Sequence, residues 1–305
     1  SQPLSSTPEK LHAERPIMEQ SNGDQAETAI ENERAKASFS YREDVAPGLT
    51  IEMDLKSILA STSSKYQKLD VIDTYFGKVR SLNRCHVFLT LLRDLILFVC
   101  LFGCQTLVTD GKTQSAQFDE FAYHETLVHP ALLRCLYSGS NPKTVFIGGG
   151  GELATAREVL RHASVERCIM VDLDEKVVEL SRKFLPEWGG EAVMSDPRFK
   201  LVIGDAYAYL NDTEETFDAI IMDISDPIEA GPGIMLYTKE FYQHAATRLN
   251  TNGVFVSQAG SAESIPAAVV ADIDPSCFAP ITNTLKEAFA CVIPYSINIP
   301  SYGGD

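Results

Sequence analysis

Residues 144–160 read Thr-Val-Phe-Ile-Gly-Gly-Gly-Gly-Glu-Leu-Ala-Thr-Ala-Arg-Glu-Val-Leu. The apolar start predicts a buried strand, the glycines predict a turn, and the remaining residues predict a helix. Glycine takes positive φ and lets a ligand approach the backbone closely. The stretch therefore predicts a ligand-binding strand–turn–helix unit, which by itself suits a dinucleotide and S-adenosylmethionine (AdoMet) equally well.

Short apolar runs alternate with helical patterns on the carboxyl side of this unit. The strands are predicted at residues 144–147, 168–173, 200–203, 218–222, 254–258 and 292–299. Helices are predicted at residues 155–162, 175–184 and 239–249. Because the first five runs are continuously apolar, they are typical of strands buried on both faces. The alternation predicts an α/β fold with a doubly wound sheet.

Two acidic residues follow later strands of this pattern. Asp172 ends the second strand, where an acidic residue hydrogen-bonds the hydroxyl groups of a ribose. Asp205 follows the third strand, where it can accept the exocyclic amine of an adenine. Both residues also suit a simpler role, because aspartate is favoured at the N-termini of helices. Both interpretations stay open.

The glycine-rich turn contains a carboxylate, Glu152. In a turn that binds pyrophosphate, a carboxylate facing the ligand would repel it. The residue therefore favours a ligand whose nearest part is positive, such as an amine, over a dinucleotide. The alternative is that Glu152 points to solvent.

The fourth predicted strand ends in two carboxylates, Asp223 and Asp226, followed by Pro227. The carboxyl ends of strands in an open α/β sheet face the ligand crevice. Such a pair would suit the alkylation of an amine. A polyamine nitrogen, for example, is protonated at neutral pH, so alkylating it requires one carboxylate to take the proton and another to hold the cation. A turn that is simply rich in aspartate and proline is an equally acceptable interpretation of these residues alone.

Composition excludes some classes of protein. The chain has 305 residues and a formal net charge of -16, which disfavours binding to nucleic acid. Its seven cysteines are irregularly spaced and form no metal-type pairs, which favours reduced thiols and a cytoplasmic location. The N-terminus has no signal-peptide pattern, and no uninterrupted apolar run is long enough to span a membrane.

Three regions are predicted along the chain. Residues 1–45 are polar and are expected to be disordered. Residues 46–113 contain short β-type runs and are expected to form a small N-terminal β domain. Residues 114–305 contain the doubly wound sheet, preceded by amide, phenol, imidazole and carboxylate groups that could surround a cationic substrate.

Residues 79–105 fit neither region. Arg93 and Asp94 interrupt their apolar run, which argues against a membrane span. Two interpretations stay open: an ordered insertion with a buried helix, or a translated intron. The second is suggested by the ends, Val79-Arg80 and Cys104-Gln105, whose codons can resemble splice donor and acceptor sequences. Excision would join residues 76–78 to residue 106 as strand, turn and strand.

Five motifs occur in the order in which aminopropyltransferases have them. They are Asp110-Gly-x-x-Gln114, Asp119-Glu-x-x-Tyr-His-Glu125, the Gly-Gly-Gly-Glu turn ending at Glu152, Gly204-Asp-Ala206, and Asp223-x-x-Asp226-Pro227. The chain resembles this family over residues 47–302 apart from residues 79–105. Residues 156–162, 231–239 and 292–302 look most like thermospermine synthases. The resemblance implies a small N-terminal β domain on a Rossmann-like catalytic domain of the AdoMet-methyltransferase type.

The resemblance also implies roles for the matching residues. Asp223 resembles the general base, and Asp226 resembles the carboxylate that binds the acceptor amine. Glu152 would hold the amine of the donor, Asp172 its ribose and Asp205 its adenine. The further contacts implied for the donor are Gln67, Gln114, Gly149, Ala206 and Pro232. The further contacts implied for the acceptor are Tyr123, His124 and Tyr302.

The implied reaction transfers an aminopropyl group from decarboxylated AdoMet to a polyamine and releases methylthioadenosine. Spermidine, giving thermospermine, is the first choice of acceptor, and putrescine, giving spermidine, is the second. Decarboxylated AdoMet is a co-substrate, so neither a cofactor nor a metal is expected. Such enzymes are usually dimers or tetramers. The alternatives are an AdoMet-dependent methyltransferase and a catalytically inactive polyamine-binding relative.

Three departures from the family pattern are visible. Leu153 stands where the family has a glycine, so the turn is expected to be reshaped. Residues 79–105 interrupt the N-terminal β region. The chain ends where the family continues into a further strand, so the catalytic domain is expected to lack its last strand.

Overall fold

The computed structural model describes residues 40–46, 49–74, 104–227, 233–262 and 277–302. These residues form an N-terminal antiparallel sheet and a parallel sheet accompanied by helices. The predicted α/β class, with a small β region ahead of a doubly wound sheet, is confirmed. Most of the predicted disordered tail, residues 1–39, lies outside the described residues, as does Pro232.

The N-terminal sheet contains five strands in chain order, each antiparallel to the next. They are β1 (Ser40–Ala46), β2 (Leu49–Ser63), β3 (Lys68–Thr74), β4 (Cys104–Thr109) and β5 (Lys112–Ala116). Leu69 and Val71 alternate along β3, so both face one side of the sheet. They form a core cluster with Leu107, Leu185 and Trp188. This shared core packs the N-terminal sheet against residues that follow the parallel sheet's second strand.

Both predicted boundaries of the N-terminal domain need correction. β1 begins at Ser40, inside the segment assigned to the disordered tail, and β5 ends at Ala116, beyond the boundary at residue 113. β1 is an edge strand that pairs on one side only, so it needs few apolar residues. Its Tyr41 hydroxyl donates to the carbonyl of Gly111 at 2.8 Å. Tertiary hydrogen bonds therefore order a segment whose composition is that of a disordered tail.

The interrupting segment, residues 79–105, lies almost entirely outside the described residues. Its last two residues, Cys104 and Gln105, belong to β4 and pair with Thr74 and Asp73 of β3. If residues 79–105 were absent, Lys78 would directly precede Thr106. Because Ile72 pairs with Thr106, residues 73–78 would then connect β3 to β4, and the register from this pair onward would be unchanged. The pairing is thus compatible with excision of the segment.

We expect a protein lacking residues 79–105 to fold with the same β3–β4 register and to be more stable than the full chain. Each halving of a closed loop returns about 0.6 kcal/mol, so the gain in free energy of unfolding is about 2 kcal/mol. Urea denaturation measures it, with circular dichroism as the control for β content. A shortened protein that is insoluble or less stable would contradict the expectation.

The parallel sheet contains β6 (Thr144–Gly149), β7 (Arg167–Asp172), β8 (Phe199–Ile203), β9 (Phe217–Asp223) and β10 (Leu249–Ser257). Its order is β10-β9-β6-β7-β8, and all neighbours are parallel. The chain moves from β6 towards β8 and then crosses to β9 on the other side of β6. The topological switch point therefore lies between β6 and β9. β9 is buried along its whole length, as its continuous apolar run predicts.

The described residues contain seven α-helices. They are α1 (Glu120–Tyr137), α2 (Ala154–Leu160), α3 (Glu175–Phe184), α4 (Gly190–Met194), α5 (Ala206–Asp212), α6 (Lys239–Thr247) and α7 (Phe278–Ala288). The three predicted helices are confirmed as α2, α3 and α6. None of the helices in the described part of the chain is long and apolar enough to cross a membrane.

Five of the six predicted strands are confirmed, and the sixth, at residues 292–299, is wrong. Residues 291–298 have no regular structure. Pro294 has no N–H group to give to a ladder. The side chains of Ile293, Tyr295 and Ile297 are exposed, so they gain nothing from alternating along a strand. An apolar run forms a strand only where a neighbour pairs with it and a core covers one face.

Leu153 precedes α2 in the left-handed conformation, with φ of +79°. The turn therefore keeps the backbone shape that a glycine favours, and the expected reshaping is wrong at this residue. A left-handed residue other than glycine is strained by about 1–2 kcal/mol. The Leu153 side chain is fully buried in the core beside Val128 and Val159, which stabilises the fold by about 1.5–3 kcal/mol. Burial offsets the strain.

We expect Leu153→Gly and Leu153→Ala both to lower the free energy of unfolding, by about 2–5 kcal/mol, because a buried leucine is lost. The glycine variant should be the more stable by about 1 kcal/mol, since positive φ strains alanine but not glycine. Urea denaturation measures both. The same pair at Leu160, on the helical backbone of α2, is the control, and there alanine should be favoured. Alanine more stable than glycine at both positions would refute the strain.

Candidate active site

The carboxyl ends of β6, β7 and β9 meet at one edge of the parallel sheet. Gly149, Asp172 and Asp223 end these three strands, and Gly149 is opposite Asp223 in the register. An open α/β sheet binds ligands at this edge, beside the topological switch point. The fold therefore brings residues far apart in the sequence to one crevice.

The glycine-rich turn is fixed against the end of β9. The N–H of Gly150 donates to the carbonyl of Asp223 at 2.9 Å. Gly149 has φ of +83°, and a β-carbon on it would lie 2.0 Å from the same carbonyl oxygen. No side chain fits there, so the position requires glycine. This close approach sets the place from which the turn presents Glu152.

The carboxyl group of Asp223 is buried and receives a hydrogen bond on each oxygen. The Tyr123 hydroxyl donates to Oδ1 at 2.7 Å, and the Thr155 hydroxyl donates to Oδ2. Burial raises the pKa of Asp223, and the charge of Glu152 raises it further. A carboxylate with a raised pKa and a fixed orientation is suited to accept a proton from a ligand.

His124 is fully buried between two carboxylates. Its Nδ1 lies 2.7 Å from Oε2 of Glu120, and its Nε2 lies 3.1 Å from Oε1 of Glu152. Burial lowers the pKa of His124, but the hydrogen bonds to both carboxylates outweigh it and raise the pKa to about 10. Arg157 binds both oxygens of Glu120, at 3.0 and 2.9 Å. The imidazole is therefore an imidazolium at neutral pH.

Tyr302 brings the C-terminal part of the described chain to the same crevice. Its ring contacts that of Tyr123 edge-on, with centroids 6.1 Å apart. Its hydroxyl donates to the backbone carbonyl of Gln114 in β5. Burial raises the pKa of Tyr302 well above its usual value, and Glu152 and Asp223 add to the rise. The side chain of Gln114 bonds instead to the carbonyl of Lys112, at 3.3 Å.

Asp172 faces the glycine-rich turn from the end of β7. A β-carbon on Gly151 would lie 2.8 Å from its Oδ2. Burial raises the pKa of Asp172 to about 7, although the N–H of Asp174 opposes the rise. Gln67 reaches this region indirectly, because its amide donates to Oδ2 of Asp174 at 3.1 Å. The predicted ribose site and Gln67 are thus joined through the residue that caps α3.

Asp205 takes the simpler of its two predicted roles. Its Oδ1 accepts the N–H of Tyr207 at 2.8 Å, which caps the N-terminus of α5. Ala206 is buried as the first residue of that helix. A contact between Asp205 and an adenine stays a prediction.

Asp226 is exposed and belongs to a separate hydrogen-bond group. Its Oδ1 accepts from the side-chain amide of Gln258 at 3.0 Å, and that amide also donates to the Tyr237 hydroxyl at 2.8 Å. The Tyr237 hydroxyl in turn donates to the carbonyl of Ser225 at 3.0 Å. These contacts hold the exit from β9 at the crevice. The structure therefore joins Glu152 to Asp223 closely and places Asp226 beyond them, at the surface.

The sequence analysis included Glu120 among the carboxylates near the substrate but did not predict its pairing with His124, and it missed four residues of the site: Thr155, Arg157, Tyr237 and Gln258. Glu120 had a usable signal, because it lies four residues before His124 and shares a helix face with it. The others had none, since their contacts depend on how distant elements pack.

Ligand-type atoms of His124, Glu152 and Asp223 lie within 4.8 Å of one another. That spacing would suit a metal, but both ring nitrogens of His124 face carboxylate oxygens and carry protons. The arrangement thus favours a cationic organic ligand. A second group with the same spacing is Glu125, His129 and Glu158, where Arg161 already donates to both carboxylates, at 3.3 and 2.7 Å. That no metal is needed stays a prediction.

A cavity of about 800 Å³ lies beside the crevice, towards β8. Leu173, Asp174 and Gly204 line it, together with residues of α3 and of the β2–β3 turn. Leu173 and Gly204 each adjoin a residue predicted to contact the donor. None of His124, Glu152 and Asp223 lines it, so it is separate from the buried carboxylates.

Comparison with known proteins finds similar enzymes. The thermospermine synthase ACAULIS5 of Arabidopsis thaliana is 40% identical over 264 residues, covering 86% of this chain and 66% of that protein. A polyamine aminopropyltransferase of Synechococcus sp. strain JA-3-3Ab is 46% identical over 198 residues, covering 65% of this chain and 61% of that protein. The chain thus spans less than two thirds of these relatives' own length.

A solved structure has a similar fold. A spermidine synthase crystallised with the transition-state analogue AdoDATO has a TM-score of 0.65 and 28% identity, covering 83% of this chain and 73% of that one. Residues 120–305 match the spermine/spermidine synthase domain, a match that includes Tyr123, Glu152 and Asp223. The match covers more than half of the chain, and the chain therefore belongs to the spermine/spermidine synthase family.

Proposed function

We propose that this protein transfers an aminopropyl group from decarboxylated AdoMet to a polyamine nitrogen and releases methylthioadenosine. The observation that carries the proposal is the buried carboxyl group of Asp223, held by Tyr123 and Thr155 beside Glu152. A sulfonium-activated methylene needs no further activation. The chain has only to bind two amines, align them and remove one proton.

Asp223 is the proposed general base. Its raised pKa brings its proton affinity closer to that of an amine, which favours transfer of the proton. The hydroxyls of Tyr123 and Thr155 fix the orientation of the Asp223 carboxylate. The lone pair of this carboxylate that faces the crevice is therefore the one that can accept the proton of the amine. The pKa is raised, so the base is active only above it, and the rate should fall as pH falls through that value.

Glu152 is proposed to bind the ammonium of the donor, and Asp172 its ribose. Glu152 would repel the carboxylate of AdoMet itself, which argues against a methyltransferase. Gly149 lets the donor approach the backbone. Further proposed contacts of the donor are Gln67, Gln114, Asp205, Ala206 and Pro232.

Spermidine is the first proposed acceptor and putrescine the second. The support for spermidine is the 40% identity to a thermospermine synthase. Asp226, Tyr123, His124 and Tyr302 are the proposed acceptor residues. The exposed position of Asp226 suits the distal amine of a long polyamine better than the reacting nitrogen.

Incubation with decarboxylated AdoMet and either spermidine or putrescine tests the proposal. Chromatography against standards for thermospermine, spermine and spermidine identifies the product, and methylthioadenosine should appear in equal amount. AdoMet replaces the donor as the control. Methylation from AdoMet would identify a methyltransferase, and no product from either donor would identify an inactive relative.

We expect Asp223→Asn to keep donor affinity within about threefold and to lower kcat by about 10²–10⁴-fold, because the amide cannot accept the proton. Titration calorimetry with decarboxylated AdoMet measures the affinity, and methylthioadenosine release measures kcat. The control is Asp218→Asn, on the same strand but bonded to Asn250 and Thr144 far from the crevice. It shows how much the loss of a buried carboxylate on β9 changes turnover through stability alone. Unchanged turnover in Asp223→Asn would remove this residue from the mechanism.

A further inference from the structure

A chain of alternating charges runs from the helices into the crevice. The guanidinium of Arg157 binds Glu120, Glu120 binds His124, and His124 binds Glu152. The proposed function assigns Glu152, the last member, to the donor and lists His124 at the acceptor site, but it gives Glu120 and Arg157 no role and does not explain why both ring nitrogens of His124 face carboxylates. The other three lie behind it, on α1 and α2.

We propose that His124 is a positioning residue, which as an imidazolium anchored by Glu120 and Arg157 holds the carboxylate of Glu152 aimed at the ammonium of the donor. The identity of the ligand in this inference rests on the proposed function. The protonation of His124 does not depend on that function.

Geometry requires a proton on Nδ1, and an ionised Glu152 requires a second proton on Nε2. Nδ1 lies 2.7 Å from the backbone carbonyl of Glu120 and 2.7 Å from its carboxylate, and both of these only accept. Nδ1 must therefore donate. Nε2 faces a carboxylate oxygen of Glu152 at 3.1 Å, and an ionised carboxylate also only accepts. Since a neutral imidazole carries one N–H, the two contacts together describe an imidazolium.

The charged and titratable groups around His124 explain why it stays protonated. Glu120 on α1, Glu152 in the turn and Asp223 on β9 are the acidic neighbours. Tyr123 contacts the ring edge-on at 4.9 Å, and Arg157 lies behind Glu120. Burial lowers the pKa of His124, but the carboxylates raise it to about 10. The ion pair with Glu152 is therefore present at neutral pH and is lost only as pH rises through about 10.

The arrangement gives Glu152 a fixed direction. His124 occupies Oε1, which leaves Oε2 as the oxygen that can receive a ligand cation. Besides burial, the charge of Glu152 raises the pKa of Asp223 and that of His124 lowers it, so without the imidazolium the pKa of Asp223 would rise further. The imidazolium thus keeps a second carboxylate available beside the base.

Nuclear magnetic resonance of protein labelled with ¹⁵N-histidine tests the state of His124 directly. The chain has six histidines, and the signal missing from His124→Gln identifies the right one. At pH 8.5 we expect that signal to show two protonated ring nitrogens. A neutral ring at pH 8.5 would overturn the inference, whether or not the protein is an active transferase.

Donor binding tests the positioning role. Because Asp172 also titrates near pH 7, each variant is compared with the unchanged chain at the same pH. In Glu120→Gln the anchor loses its charge, so we expect the ratio of its donor affinity to that of the unchanged chain to fall about tenfold between pH 6.5 and pH 8.5. Calorimetry with decarboxylated AdoMet measures it. Glu125→Gln, the same change on the same helix at an exposed pair with Arg161, is the control and should stay flat.

The outcomes separate the two proposals. A flat profile in Glu120→Gln overturns the positioning role even if the donor binds well. If the unchanged chain binds no decarboxylated AdoMet at all, the proposed function fails, and the resonance of His124 still decides whether the imidazolium exists.

Discussion

The close approach of the glycine-rich turn to the end of β9 is the constraint on which the site depends. Gly149 and Asp223 share one rung of the β6–β9 ladder, and the N–H of Gly150 closes on the Asp223 carbonyl at 2.9 Å. A side chain at Gly149 would separate the two strand ends. Because the backbone atoms meet there, the side chains of Glu152 and Asp223 are held on the same side of the crevice.

That convergence places several charges in a buried volume. Glu120, Glu152 and Asp223 are balanced in part by His124 and Arg157. Removing one partner from such a group typically destabilises a fold by about 3–5 kcal/mol, because the remaining charge is left unpaired. Taking these charges out of water also costs several kcal/mol per ion, so the intact group adds little net stability for its size. The group contributes to function by orienting its carboxylates, since each hydrogen bond fixes which oxygen of the next carboxylate is free.

The fold was largely predictable because its main signals are local. The apolar runs of the parallel strands and the glycines of the turn each specify one element. The strand predicted at residues 292–299 was wrong because its apolar pattern is local, whereas a strand also needs a distant partner to pair with. The prediction that the β1 segment is disordered also failed, because the hydrogen bond from Tyr41 to Gly111, which helps to order it, joins residues far apart in the sequence.

The candidate site was predictable in its carboxylates and unpredictable in their supports. Glu152 and Asp223 stand next to strand ends, so the sequence places them at the crevice. Thr155 reaches Asp223 only when α2 packs beside the end of β9, and Arg157 reaches Glu120 only when α1 and α2 pack together. The sequence therefore names which groups can exchange protons or bind cations. The packing decides which of their oxygens remain free to do it, and thus which end of a ligand each can receive.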